Sequence, residues 1–211
     1  MTIITEYQYF PAISLLSALT KYKYINFESY ETYQKGGFRN RSEVLGSSGI
    51  VQLVIPLVGG RTQKLFITDV KIDFREDWQR SHFRTLLACY NRSAFFEFYR
   101  DGLERLFQTR VNWLVEWNMS CLDWVVSVLK LDIVHGKTSS FEPCYSNEEY
   151  ADFRGILNPK NRMLPGIKPI YYPQVFPQQE GFVPGISILD LIFCEGPRTG
   201  EILEKMAKEE K

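Results

Sequence analysis

Residues 2–27 read TIITEYQYFPAISLLSALTKYKYINF, and this stretch decides the fold class. Thr2 to Tyr9 carries Ile, Thr and Tyr, whose branched and aromatic side chains suit a pleated surface, so the run predicts a strand. Pro11 fits the first turn of the helix that follows, where a missing N–H costs nothing. Ile13, Leu16 and Leu19 then recur at helical spacing, and Leu15 widens the stripe. Tyr24-Ile25-Asn26-Phe27 predicts a second, short strand. Strand, helix, strand in this order gives a parallel pair, because parallel neighbours need a crossover between them.

Further along the chain, Gly46-Ser47-Ser48-Gly49 and Gly59-Gly60 mark turns. Between them Ile50 to Ile55 is an apolar strand candidate. Val70, Ile72 and Phe74 alternate with Asp69, Lys71 and Asp73, a period of two that predicts a strand with one wet face. The expected fold is therefore α/β, a mixed sheet with an N-terminal strand-helix-strand unit, a β-meander and a central helical segment; α+β is the alternative. Asp77 is the expected N-cap of a helix through Arg92 with Phe83, Leu87 and Tyr90 on one face. A second helix is expected from Ala94 to Phe107. A third follows from Val115, Met119, Leu122, Val126 and Leu129, and its tryptophans read as core.

Periodicity fades from His135 to Gly181, and eight of the ten prolines lie beyond residue 142. A stretch this long without regular elements is unusual in a compact domain. Tyr171, Tyr172, Phe176 and Phe182 are costly to leave in water, so an ordered proline-rich strap is expected over 135–181. Ser187 should cap a short helix that Gly196-Pro197 stops, followed by a charged helical tail over 198–211 that frays. The whole, 1–211, reads as one domain.

Twenty-five basic and 25 acidic residues cancel, which argues against a nucleic-acid or membrane-surface partner. No apolar run reaches transmembrane length, and Met1 to Glu6 lacks the basic and apolar regions of a signal peptide. Cys89, Cys121, Cys144 and Cys194 are too scattered for a disulfide framework, so buried free thiols and a cytoplasmic location are expected. Two His residues exclude a His-rich metal site, no metal ligands are assigned, and no nucleotide-loop or hydrolase motif identifies a cofactor.

The charge balance conceals an asymmetry. Residues 1–110 carry 15 basic and 11 acidic side chains, and residues 35–92 carry 10 against 5. Its densest cluster contains Gln34, Lys35, Arg39, Asn40 and Arg41 beside two glycines. Arginine forks match phosphate and carboxylate, and glycine admits a ligand close to the backbone. An anionic small molecule, a sugar phosphate or nucleotide sugar, is the expected partner; a solvated basic loop is the plainer alternative. Gln63 and Lys64 follow Gly59-Gly60 in a second such loop, which equally reads as a plain hairpin turn. On the third cluster, Asp77 to Arg84, His82 is the candidate proton-transfer group, and Arg84 stands one turn from Arg80. Asp190 lies among Ile188, Leu189, Leu191 and Ile192, where a charge needs a partner; one of the loop arginines is the expected one.

Those same clusters carry a resemblance. Gln8-Tyr9-Phe10-Pro11, Tyr33-Gln34-Lys35, Phe38-Arg39-Asn40-Arg41, Val54-Ile55-Pro56, Gln63-Lys64, Asp77-Trp78-Gln79-Arg80-Ser81-His82-Phe83-Arg84, Gly181-Phe182-Val183-Pro184 and Ser187-Ile188-Leu189-Asp190-Leu191 are together similar to the WbqC-like family. The resemblance implies a place among bacterial surface-polysaccharide (O-antigen) proteins and a glycine or amino-acid transferase role. Arg39, Arg41 and Lys64 would then hold the anion, Gln34 and Asn40 would orient the substrate, and His82 would move the proton. Two other readings compete with the transferase. One is a binding module without turnover; the other is a structural subunit that self-associates through aromatics of the strap.

Overall fold

The computed structural model describes residues 1–22, 24–145, 149–176 and 181–208. In chain order the elements are β1 (Thr2–Thr5), α1 (Ile13–Tyr22), β2 (Tyr24–Phe27), β3 (Arg41–Gly46), β4 (Gly49–Val54), α2 (Trp78–Tyr90), α3 (Phe96–Gln108), α4 (Leu114–Leu129), β5 (Val134–Lys137), β6 (Tyr150–Asp152), α5 (Ile188–Glu195) and α6 (Thr199–Lys208). Four strands form a parallel sheet in the order β5-β2-β1-β6, and β3 and β4 form a separate antiparallel hairpin. The α/β class expected from residues 2–27 is the one observed, with the parallel and antiparallel pairings divided between two sheets.

The opening unit forms as its pattern predicts. β1 and β2 pair in register from Thr2 opposite Tyr24 to Thr5 opposite Phe27. Ile3 and Ile25 are buried, as are Ile13, Leu15, Leu16 and Leu19 of the crossover helix. β1 is shorter than the run to Tyr9, because Glu6, Tyr7 and Gln8 leave the sheet at its carboxyl end. Phe10, which closes that exit, holds a positive φ of 44°, a conformation that costs a residue with a Cβ about 1 kcal/mol or more. Its carbonyl accepts from Ser187 Oγ (3.2 Å).

Val70 to Phe74 does not become a strand. Val70 and Ile72 are buried and Lys71 is exposed as expected, but the alternation breaks at buried Asp73 and half-buried Phe74, and the pairing shrinks to isolated bridges, Leu57 with Ile72 on one side and Lys71 with Trp113 on the other. The meander is thus a hairpin plus an extended segment. On α2 the buried face is Trp78, His82, Leu86, Cys89 and Tyr90, rotated from the expected Phe83 and Leu87. On α4 it is Leu114, Trp117, Asn118, Cys121, Leu122 and Val125, rotated likewise. His82 and Asn118 belong to these faces because each is hydrogen-bonded inside, which a count of apolar residues leaves out.

The expected strap contains two of the four sheet strands, β5 and β6, which pair with β2 and β1. Leu157, Leu164, Ile167 and Tyr172 anchor its other described parts, whereas Tyr171 is exposed. Residues 146–148 and 177–180 of the strap, and 209–211 of the tail, lie outside the described residues. Ser187 caps α5 through Leu189 N (3.3 Å), and Gly196 ends it. The tail helix α6 is docked where fraying was expected: Ile202, Leu203 and Met206 are buried, and Ser17 Oγ of α1 donates to Leu203 O (2.9 Å). All four thiols are free, but Cys144 is exposed and not buried.

Candidate functional site at the carboxyl edge of the parallel sheet

Connections from β1 run through β2 to β5 on one side, while β6 lies on the other. The direction of the chain's progress reverses between β1 and β6. In open parallel sheets a crevice forms outside the carboxyl ends of the strands at such a point. The loops leaving the strands there are tied to the sheet: Glu28 N donates to Thr5 O (2.9 Å), Phe153 N to Ile4 O (2.8 Å) and Thr138 N to Phe27 O (3.0 Å).

This edge is lined by carboxylates that are sealed from water. Glu6 directly follows β1 and Glu28 directly follows β2, and both side chains are fully buried. Glu6 accepts from Gln8 Nε2 (2.9 Å) and from the Gly155 backbone N–H (2.8 Å). Glu28 accepts from Thr138 Oγ1 (2.9 Å), Tyr30 N (2.9 Å) and Arg154 Nη1 (2.8 Å). Arg154, just after β6, also clasps Asp152 at 2.9 and 2.6 Å, and its guanidinium lies against the rings of Phe141 and Tyr145. Glu31 and Arg39 face each other in a two-point pair at 2.7 and 2.6 Å. Four carboxylates thus meet two guanidinium groups.

Burial pushes the Glu31 carboxyl above its ordinary pKa; the Arg39 bonds oppose this, and the nearby Glu6 and Glu28 charges add to it. Burial raises Asp152 as well, but the Arg154 hydrogen bonds outweigh it and hold that carboxyl low. Between these two pairs an open cleft of about 200 Å³ is walled by Glu31, Gln34, Arg39, Asp152, Arg154 and Gly155. Phe141 and Pro143 complete its rim, and Phe141 is 50% exposed. Planar charged groups that bind in two-point fashion, set beside a half-exposed aromatic ring, suit a ring bearing adjacent hydroxyls. Among the described residues no group of three His, Cys, Asp or Glu could hold a metal ion.

Of the residues singled out by sequence, the cleft brings together Gln34 and Arg39 alone. Arg39 is nearly sealed and committed to Glu31, so its fork is part of the cleft wall and not a free anion clamp. Asn40 is a buried brace: it accepts from Tyr33 OH (3.0 Å) and donates to Ile55 O (3.0 Å). Lys35 and Lys64 are exposed, Gln63 bonds back to Gly60 O (2.8 Å) within its own turn, and Arg84 is exposed on α2. Arg41 begins β3 with its Nε buried and unbonded.

His82 is not presented to the cleft. It is 7% exposed, stacked on Tyr9 and set edge-on to Trp78. Its Nδ1 lies 3.0 Å from Tyr9 OH, and the Val54 backbone is a further hydrogen-bond partner of the ring. The ring is a core group with its polar atoms turned inward. Burial lowers its pKa to about 4. The role of exposed proton carrier expected for it has no geometric basis.

Asp190 also departs from expectation. Its partner is not an arginine: Tyr90 OH (2.8 Å), Tyr172 OH (2.6 Å) and Gln174 Nε2 (2.9 Å) all donate to it. Phenols and an amide satisfy the carboxylate without a countercharge, and burial raises its pKa. Sequence reasoning missed Glu6, Glu28, Glu31, Asp152 and Arg154 because the search followed excess positive charge. A signal was present in TIITE and YINFE, where each of two strands ends in glutamate.

The fold and the site define an α/β protein with a polar crevice at a switch point of its parallel sheet. The model of the WbqC-like protein family matches residues 7–155, most of the chain, and the protein belongs to that family. The matched span holds Glu28, Glu31, Arg39, Asp152 and Arg154, and starts one residue after Glu6. No curated protein and no solved structure matches the chain. Among the described residues no helix is long and apolar enough to cross a membrane.

Proposed function

We propose that the protein is a transferase of surface-polysaccharide biosynthesis that holds a sugar in the carboxyl-edge cleft and receives an aminoacyl group onto it. The observation that carries this reading is the cleft itself, walled by the Glu31–Arg39 and Asp152–Arg154 pairs and a half-exposed Phe141 ring. Carboxylate and guanidinium would bond adjacent hydroxyls, and Phe141 would lie against the apolar face of the sugar ring. Glu31 takes the proton-transfer role that sequence reasoning gave to His82. Its raised pKa makes it a better base than an ordinary carboxylate, and two-point pairing leaves lone pairs free. In the step, a sugar amine or hydroxyl attacks the acyl carbon of an activated aminoacyl donor. A new C–N or C–O bond forms, the attacking group's proton passes to Glu31, and the donor's leaving group departs with its bonding electrons.

Isothermal titration with a nucleotide-linked sugar tests the site. Phe141→Ala, a change at a half-exposed position, should weaken binding about threefold or more, the range of one ring contact. Unchanged affinity would remove the sugar from this cleft. A binding module without turnover is the second reading, favoured by the pairing of both cleft carboxylates, Glu31 and Asp152, with arginine. Turnover of an aminoacyl donor that Glu31→Gln abolishes decides for the transferase.

A further inference from the structure

The hairpin and the turn after it carry two guanidinium groups that the cleft does not use. Arg41 opens β3 opposite Val54 at the end of β4. From Val54 the chain runs through Ile55 to Leu57 into the Gly59–Lys64 turn and then returns along Tyr33, whose N–H donates to Leu65 O (2.8 Å), while Thr32 bridges Phe66. Arg41, next to Asn40 at the base of this excursion, and Arg61 on its turn are both close enough to act electrostatically on Tyr33, whose hydroxyl donates to Asn40 Oδ1 (3.0 Å). The turn holds its shape by Gly60 N to Leu57 O (3.0 Å) and Gln63 Nε2 to Gly60 O (2.8 Å). Gly59 and Gly60 are both left-handed, at φ of 80° and 73°, which side chains with a Cβ rarely adopt.

Charge at this place is uncompensated. Arg39, the third guanidinium near Tyr33, is neutralised by Glu31. Arg41 and Arg61 form no ion pair among the described residues. Arg41 Nε is buried without an acceptor, an arrangement that native proteins seldom leave unfilled. Gln63 Oε1, on the same turn as Arg61, is likewise buried without a donor. The fields of Arg41 and Arg61 both reach the Tyr33 phenol and work against the rise that burial causes. Two guanidinium groups without an ion-pair partner among the described residues, one of them with an unfilled N–H, match the demands of a phosphoryl group, which accepts several charge-assisted bonds at once.

We infer that Arg41 and Arg61 form an anion subsite for the phosphate of a phosphorylated or nucleotide-linked sugar. This deepens the sugar-transferase reading and rests on it for the identity of the whole substrate, but not for the subsite itself. Tyr33 directly precedes Gln34 of the cleft wall in the chain.

Inorganic pyrophosphate, which has no sugar, is the probe that separates the two claims. Isothermal titration of the full chain should give saturable binding. Arg61→Gln should weaken it at least tenfold, a loss of about 1.4 kcal/mol, and Arg41→Gln should do the same. Arg92→Gln, an exposed arginine just after α2, should leave it unchanged and so control for net charge. Arg61 is exposed on a turn, so its variant keeps the test valid even if Arg41→Gln perturbs the hairpin. Pyrophosphate affinity that is absent, or equal in Arg61→Gln and the natural protein, overturns the subsite. Pyrophosphate binding that depends on Arg61, without any binding of nucleotide-linked sugar, upholds the subsite and overturns the sugar cleft.

Discussion

Burial acts in opposite senses on a base and on an acid, and His82 and Asp190 illustrate both. His82 is held neutral with a pKa of about 4, against about 6.5 in an unfolded chain. The unfolded chain then binds more protons than the native one, so His82 favours folding above pH 6.5 and that contribution is lost as pH falls toward 4. Between pH 7 and pH 5 the loss should be about 2 kcal/mol. Asp190 and Glu31 have raised pKa values and work the other way, because they gain stability as pH falls. Urea unfolding of the natural protein and of His82→Asn at both pH values isolates the histidine: the pH-dependent loss should shrink by about 2 kcal/mol in the variant. Equal pH dependence in the two proteins would place His82 in water. Residue chemistry of this kind was half legible in sequence. The positions of His82 and Asp190 stood out as polar groups in apolar surroundings, but their partners come from residues about 70 and 100 positions away.

At the scale of elements, the chain reads well where its pattern is local and poorly where pairing is distant. β1, α1 and β2 follow from periodicities within 26 residues, and the hairpin follows from its turn glycines. β5 and β6 have four and three residues, no alternation, and partners more than 100 residues away in sequence. Nothing local marks such strands; the sheet edge they meet selects them. The same distance dependence governs the strap around Tyr172. Its hydroxyl donates to Asp190 on α5, and Gln174 bonds both Asp190 and the Val183 carbonyl, while its Oε1 accepts from Val183 N (2.9 Å). Tyr172→Phe removes one bond to a buried carboxylate and should cost about 2 kcal/mol. Hydrogen exchange at Val183 should quicken in that variant while exchange across β3 and β4 stays as it was. Uniform quickening throughout would mean that the strap has no independent latch.

Across the whole molecule, zero net charge resolves into separate regions with different tasks. Buried acids and arginines neutralise one another at the carboxyl edge, while Arg41 and Arg61 on the hairpin and its turn have no ion-pair partner among the described residues. The excess of basic residues between 35 and 92 pointed to one half of this arrangement. The other half was hidden because its carboxylates lie far apart in sequence, at 6, 28, 31 and 152, and meet only when four strands end together. The aromatic load divides similarly. Tyr9, Trp78 and Trp117 pack around His82 in the core, whereas Phe141 is left half exposed at the cleft. The account's central claim is that ligand binds at the carboxyl edge and not along α2. The direct measurement is a titration of the nitrogen-15-labelled protein with a nucleotide-linked sugar, followed by backbone amide shifts. The account predicts saturating shifts at Gln34, Phe141, Arg154 and Gly155, with the amides of Arg80 to Arg84 unmoved. Saturating shifts along Arg80 to Arg84, with the cleft amides still, would contradict it.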